Sequence, residues 1–246
     1  MIATESRDGV AIVRLARREH ANALVPELLD ALVAELQRLA DGREPVVLAA
    51  DGATFCPGAD LRWLAACPDP VVGVADLVAV HHIAIRTLLQ MPVPVVAAID
   101  GAVAGGGLGL ALAADYRVAG PRASFTAAYF RLGLPPDGGA SVFLPRTIGV
   151  ARTLELLLTN RRLDSAAALD AGLVNEVVTG DAIERAVEAA RAFLPVPGYT
   201  LLQTRRLLDA AGIAHQLQLE AVAIRTAARH PGFKTALAAF AAEHAD

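Results

Sequence analysis

The chain has 246 residues, of which 54% are hydrophobic and 20% charged, so it can bury a sizeable core and is far too apolar to be disordered. A net charge of −4 with no long basic run argues against nucleic acid as a partner. Two cysteines, Cys56 and Cys67, make neither a disulfide framework nor a four-ligand metal site, so no metal or separate cofactor is expected. The mean hydropathy of +0.44 owes much to alanine and indicates packed helices rather than membrane spans. The first residues, MIATESRDG, lack an apolar signal core, and a cytoplasmic protein is expected.

In chain order, residues 9–16 form a strand pattern that pairs with the short run at 2–5. Pro26 opens a helix whose stripe is Leu29, Leu32, Leu36 and Leu39. Residues 46–50 are a buried strand ending in the loop DGATFCPGADL, and a helix over 74–90 is stopped by Pro92 and Pro94. The segment 94–115, PVVAAIDGAVAGGGLGLALAAD, is a buried strand, a turn at Gly105, Gly106 and Gly107, and a buried helix. It is the only stretch long enough to be mistaken for a membrane span, which its Asp100 and glycines exclude. A strand over 116–119, an ambiguous segment at 125–133 and a rigid turn, LPPDGG, come next. Helical patterns from 140 break near Gly149 and Gly172, with a short strand at 173–178. Helices alone fill the rest, over 181–194, 199–212, 214–229 and 232–242. No internal repeat is visible. This order predicts an α/β core over 1–180 with parallel pairing, then a helical subdomain over 181–246.

Glycines at a helix start expose backbone N–H groups to an anionic oxygen. The spacing at 101–109 fits neither a dinucleotide fingerprint nor a P-loop, which leaves helix packing as the bland alternative to an anion site. A second loop, FCPGADL at 55–61, also follows a buried strand and reaches the same carboxyl edge of a parallel sheet. One N–H from each loop makes a two-donor oxyanion hole.

With these motifs in place, the sequence resembles the enoyl-CoA hydratase/isomerase (crotonase) family over nearly its whole length. The resemblance rests on HANAL at 20–24, FCPGADL at 55–61, PVPVVAAIDGAVAGGGLGLALAAD at 92–115, LGLPPDGGASVFLPRTIG at 132–149 and LLLTNRRLDSAAALDAGLVNEVV at 156–178. It implies a ClpP/crotonase spiral of ββα units with a helical trimerisation subdomain, assembled as a trimer or a dimer of trimers. It also implies an acyl-CoA thioester substrate, coenzyme A being part of that substrate, with no membrane partner. By resemblance the N–H groups of Ala59 and Gly106 hold the thioester oxygen. Ala21, Ala23 and the segment Ala59, Asp60, Leu61 and Arg62 meet coenzyme A, while Leu24, Cys56, Gly105 and Leu134 belong to the surrounding site. Arg17 and Arg18 either meet the phosphates or are solvated. Members of the family often end in a phenylalanine followed by basic residues. Here Phe240 precedes Ala241, Ala242, Glu243 and His244, so the grip on coenzyme A is expected to be weak or completed by a neighbouring subunit.

The family's hydratases hold water between two glutamates, at positions occupied here by Gly109 and Tyr129, and neither can serve as acid or base. The remaining carboxyl is Asp137 in PPDGG, which resembles the base of isomerases that shift a double bond. The bland alternative makes Asp137 a helix cap. His82 supplies another reading, since it stands twelve residues before Pro94, where the family's aryl-CoA dehalogenases carry a functional histidine beside a nucleophilic aspartate. Its structural alternative is a packed histidine in a stripe with Val78, Ile85 and Leu89. A thioester binder without turnover is the non-catalytic option. Cys56 is expected to be packing, and the other histidines show no metal-ligand spacing.

Overall fold

A computed structural model of the chain describes residues 1–193, 195–209 and 212–243. The expected helices over 181–194 and 199–212 touch residues outside that set, as does His244.

Among the described residues, ten strands divide between two sheets. β1 (Ile2–Arg7), β2 (Val10–Leu15), β3 (Val46–Ala50), β5 (Val95–Ile99), β7 (Tyr116–Ala119) and β10 (Glu176–Val177) form a six-stranded sheet in that order. β4 (Thr54–Cys56), β6 (Ala102–Ala104), β8 (Ser124–Thr126) and β9 (Leu163–Asp164) form a second sheet of four. Among the described residues, only β1–β2 and β8–β9 pair antiparallel. Alternate residues of the large sheet serve different cores, as a period of two requires. Val13, Leu15, Leu48, Val95, Ala97 and Ile99 face one, while Val10, Ile12, Val47, Ala49, Val96, Ala98 and Val118 face the other.

The expected strands at 46–50 and 116–119 form as read. The connection after each long strand differs from the sequence reading in one respect. Chains leaving β3, β5 and β7 first add a short strand to the second sheet, β4, β6 and β8, before any helix starts. These are the ββα units of the crotonase fold, and the two loops of interest leave β4 and β6 rather than the long strands. Thr54 pairs with Ala102 and Cys56 with Val103 in parallel, which brings both loops to one edge.

The helices are α1 (Pro26–Ala40), α2 (Leu61–Ala66), α3 (Pro70–Leu89), α4 (Gly106–Leu112), α5 (Ala140–Ile148), α6 (Val150–Thr159), α7 (Ser165–Asp170), α8 (Ala182–Ala192), α9 (Gly198–Leu208), α10 (Ile213–Ala228) and α11 (Pro231–Glu243). α2 is absent from the sequence reading, and α3 starts four residues earlier than expected because Asp69 caps it and Pro70 takes its first turn. α3 is long and apolar enough to cross a membrane by composition, yet it lies between α1 and α10 in the core. α8, past the expected boundary at 180, covers the far face of the large sheet against β3 and β5. α11 packs on α2, with Phe233 and Leu237 buried among Leu64, Val74, Val78 and Leu134.

Candidate active site

The edge shared by β4 and β6 is built from backbone. After β6, Gly105 turns the chain with φ 49° and ψ −129°, a conformation open to glycine. Gly107 then presses on β4, where a β-carbon would stand 2.2 Å from the Cys56 carbonyl oxygen. After β4, Leu24 brackets Ala59 by donating to the Gly58 carbonyl at 2.7 Å and accepting from Asp60 N–H at 2.9 Å. Gly58 abuts the glycine turn so tightly that a β-carbon there would lie 3.1 Å from Gly106 N. Among the described residues, no backbone or side-chain acceptor takes the N–H of Ala59 or of Gly106. Two adjacent free donors therefore meet at one cavity.

That cavity measures about 550 Å³. Leu24, Ala59, Leu61, Gly105, Gly106, Tyr129, Leu134 and Asp137 line it, as the sequence expects of a common site. Ala21, Ala23, Cys56, Asp60, Arg62 and His82 do not. Cys56 is fully buried, and burial pushes its thiol up to about 12, so it packs rather than reacts. Asp60 caps α2 by accepting from Arg62 N–H and Trp63 N–H at 3.1 and 3.0 Å. Its other oxygen holds Arg17 at 2.6 Å. Arg17 also donates to the Ala23 carbonyl from the same Nη1, so this nitrogen serves the loop rather than a ligand. Ala21 lies exposed in the turn beside Asn22. Asn22 is the centre of the HANAL motif: fully buried, it accepts from Arg17 N–H and donates to the carbonyls of Asp51 and Thr54.

Asp137 is 8% exposed and faces the cavity at the start of the 137–140 turn. Its side chain does not cap α5, whose N-cap is Gly139, a residue with no side chain to offer; the side-chain acceptor for the N–H groups of Gly139 and Ser141 is Glu220 of α10. Burial first, then the charge of Glu220, push its carboxyl up to about 7. Tyr129 is buried and donates its hydroxyl to the Asp137 carbonyl at 3.0 Å. Burial, then the neighbouring carboxyls Asp137 and Glu220, raise the phenol well above its usual range. At Gly109, a β-carbon would stand 2.1 Å from the Gly138 carbonyl oxygen, so this position admits no side chain.

Two buried residues of α3 and α10 escaped the sequence reading. His81 rather than His82 lines the cavity; burial first, then His82, push its imidazole down to about 3. Its Nε2 has no partner among the described residues. His82 packs behind the wall, 3.3 Å from Gly138 N and 3.3 Å from Glu220 Oε2. Glu220 is 3% exposed. The signal for it was present, because it interrupts an apolar stripe of Leu217, Ile224 and Ala228 at helical spacing. The outer wall comes from α11 through Ala236, Ala239, Phe240 and Glu243.

A ββα spiral with such a cavity at its inter-sheet edge defines a crotonase-fold enzyme acting on acyl-CoA thioesters. Residues 5–228 match the model of the family described as Enoyl-CoA hydratase/isomerase, and the chain belongs to that family. It is 37% identical over 201 residues to 4-chlorobenzoyl coenzyme A dehalogenase-2 of an Arthrobacter species, covering 80% of this chain and 73% of that protein. It is 35% identical over 199 residues to the mitochondrial methylglutaconyl-CoA hydratase of Rattus norvegicus, covering 78% and 62%. The crystal structure of an enoyl-CoA hydratase from Bacillus halodurans superposes with a TM-score of 0.86 at 26% identity, over 97% of this chain and 99% of the other.

Proposed function

We propose that the protein is an enoyl-CoA isomerase that shifts a double bond between the 2,3 and 3,4 positions of an acyl-CoA. The observation that carries this reading is the single buried carboxyl of Asp137 in an apolar cavity whose hydratase positions are Gly109 and Tyr129. The thioester oxygen lies between the N–H groups of Ala59 and Gly106. Asp137 takes a proton from C2, the electrons pass into a dienolate whose oxygen the two donors hold, and the same carboxyl returns the proton to C4. Fixed donors of this kind contribute about 10²- to 10³-fold each. A carboxyl raised to about 7 is a stronger base than an ordinary aspartate and still half ionised at neutral pH. No metal or added cofactor is required.

The second reading is hydrolytic dehalogenation of an aryl-CoA. The histidine in the cavity wall favours it, as does the likeness to a 4-chlorobenzoyl coenzyme A dehalogenase. In it, an Asp137 oxygen bonds to the ring carbon, halide departs, and water cleaves the resulting ester.

The deciding experiment offers 3-enoyl-, 2-enoyl- and halobenzoyl-CoA to the protein and to Asp137→Asn. The expected outcome is conversion of 3-enoyl- to 2-enoyl-CoA with little 3-hydroxyacyl product, falling about 10²- to 10⁴-fold in the variant. Hydration that survives the substitution rejects the isomerase, halide release selects the dehalogenase, and binding without turnover selects a non-catalytic thioester binder.

A further inference from the structure

Glu220 is not part of the cavity wall and cannot touch a substrate, yet the chain supplies it with an unusual set of donors. Its carboxylate accepts from Gly139 N–H at 2.9 Å, from Ser141 N–H at 3.2 Å and from the Ser141 hydroxyl at 2.5 Å. His82 Nε2 stands 3.3 Å away, and Gln216 secures the Ser141 hydroxyl by donating to it at 3.0 Å. A carboxyl group this deeply buried needs such partners to satisfy its oxygens. Those on the turn belong to the residues directly after Asp137.

His82 extends the linkage by one step. Its Nε2 is equally distant from Gly138 N, a donor, and Glu220 Oε2, an acceptor. A protonated Nε2 donates to Glu220, and a bare one accepts from Gly138, but one nitrogen cannot do both. The backbone of the residue following Asp137 is therefore tied to the state of the His82–Glu220 pair.

We propose that Glu220 is a positioning residue for Asp137: it fixes the 138–141 turn from behind, through its backbone and through His82, and sets a negative charge next to the reacting carboxyl. The groups facing Asp137 are Tyr129 from the preceding turn, His81 and His82 from α3, and Glu220 from α10, with Arg131 and Glu243 farther out on the cavity wall. After burial, Glu220 is the strongest influence holding a proton on Asp137, and His82 opposes it. The proposal rests on the reading of Asp137 as the base.

The test titrates Asp137 itself, by carbon-13 NMR of protein labelled at aspartate carboxyls, with the signal identified by its loss in Asp137→Asn. Wild type is expected to titrate near 7. In Glu220→Gln the midpoint moves to lower pH, acyl-CoA affinity is unchanged, and the plateau kcat falls about tenfold as the base weakens. Ser141→Ala removes a donor without removing charge and leaves the midpoint where it was. If the amide variant does not fold, Glu220→Asp draws the charge back by one methylene and shifts the midpoint the same way. An unmoved midpoint in the folded Glu220 variant overturns the proposal, whatever happens to activity or melting temperature. A shifted midpoint in a protein that fails to isomerise 3-enoyl-CoA would instead reject the isomerase reading and leave the role of Glu220 standing.

Discussion

A β-carbon on Gly109 would collide with the Gly138 carbonyl oxygen, and the same closeness keeps the turn after Asp137 pressed on α4. The absence of a glutamate there is thus more than a missing functional group, because the backbone directly after Asp137 occupies its space. Restoring the residue by Gly109→Glu is expected to give no hydratase. It should cost about 1–3 kcal/mol or more through overpacking, read as a lower melting temperature together with lost turnover of acyl-CoA. His81 illustrates the reverse case, a polar ring kept neutral where charge would be expensive. Burial and the adjacent His82 hold it down, so it stays an uncharged imidazole across the pH range in which Asp137 titrates.

Among the elements, α2 matters most to the donor pair, since its N-cap immediately follows Ala59. Asp60 ties that cap to Arg17, and Arg17 to the Ala23 carbonyl, in one connected piece. Asp60→Ala removes the cap and leaves Arg17 buried without its counter-charge, at a cost of about 3 kcal/mol in denaturant unfolding. Asp60→Asn keeps the cap and is expected to lose less. The sequence made the long strands legible because apolar runs of four or five residues stand out, and it located the loops because Gly105–Gly107 and PGAD punctuate them. Its pattern did not reveal β4, β6 and β8, whose three residues each are too short to show a period, so the repeated ββα unit was to be expected from the family resemblance and not from periodicity. α2 was missed for the same reason, being six residues long. His82 was preferred to His81 on spacing alone, since adjacent positions on a helix differ by about 100° and only packing decides which reaches a cavity.

For the molecule as a whole, Asp137 sets stability and activity against each other. Burial, then the charge of Glu220, push its carboxyl from the ordinary aspartate value of 3.8 up to about 7, so the native state favours the neutral acid more than the unfolded chain does. The stabilisation from this group is complete below about pH 4 and is lost as pH rises through about 7. Activity that needs the carboxylate runs the other way, with an acid limb in kcat/KM near 7. A plot of melting temperature against pH should therefore decline across the interval in which turnover climbs, and Asp137→Asn should remove that decline. The cavity adds a constraint of a different kind. Leu24 stands on one side of it and Phe240 on the other, so the wall is drawn from nearly both ends of the described chain. During synthesis the donor loops and Asp137 leave the ribosome well before α11, and until α11 arrives the pocket lacks its outer wall. Enclosure of a thioester is thereby postponed until α11 has been made, and a nick between α10 and α11 is expected to weaken thioester binding more than it weakens the sheets.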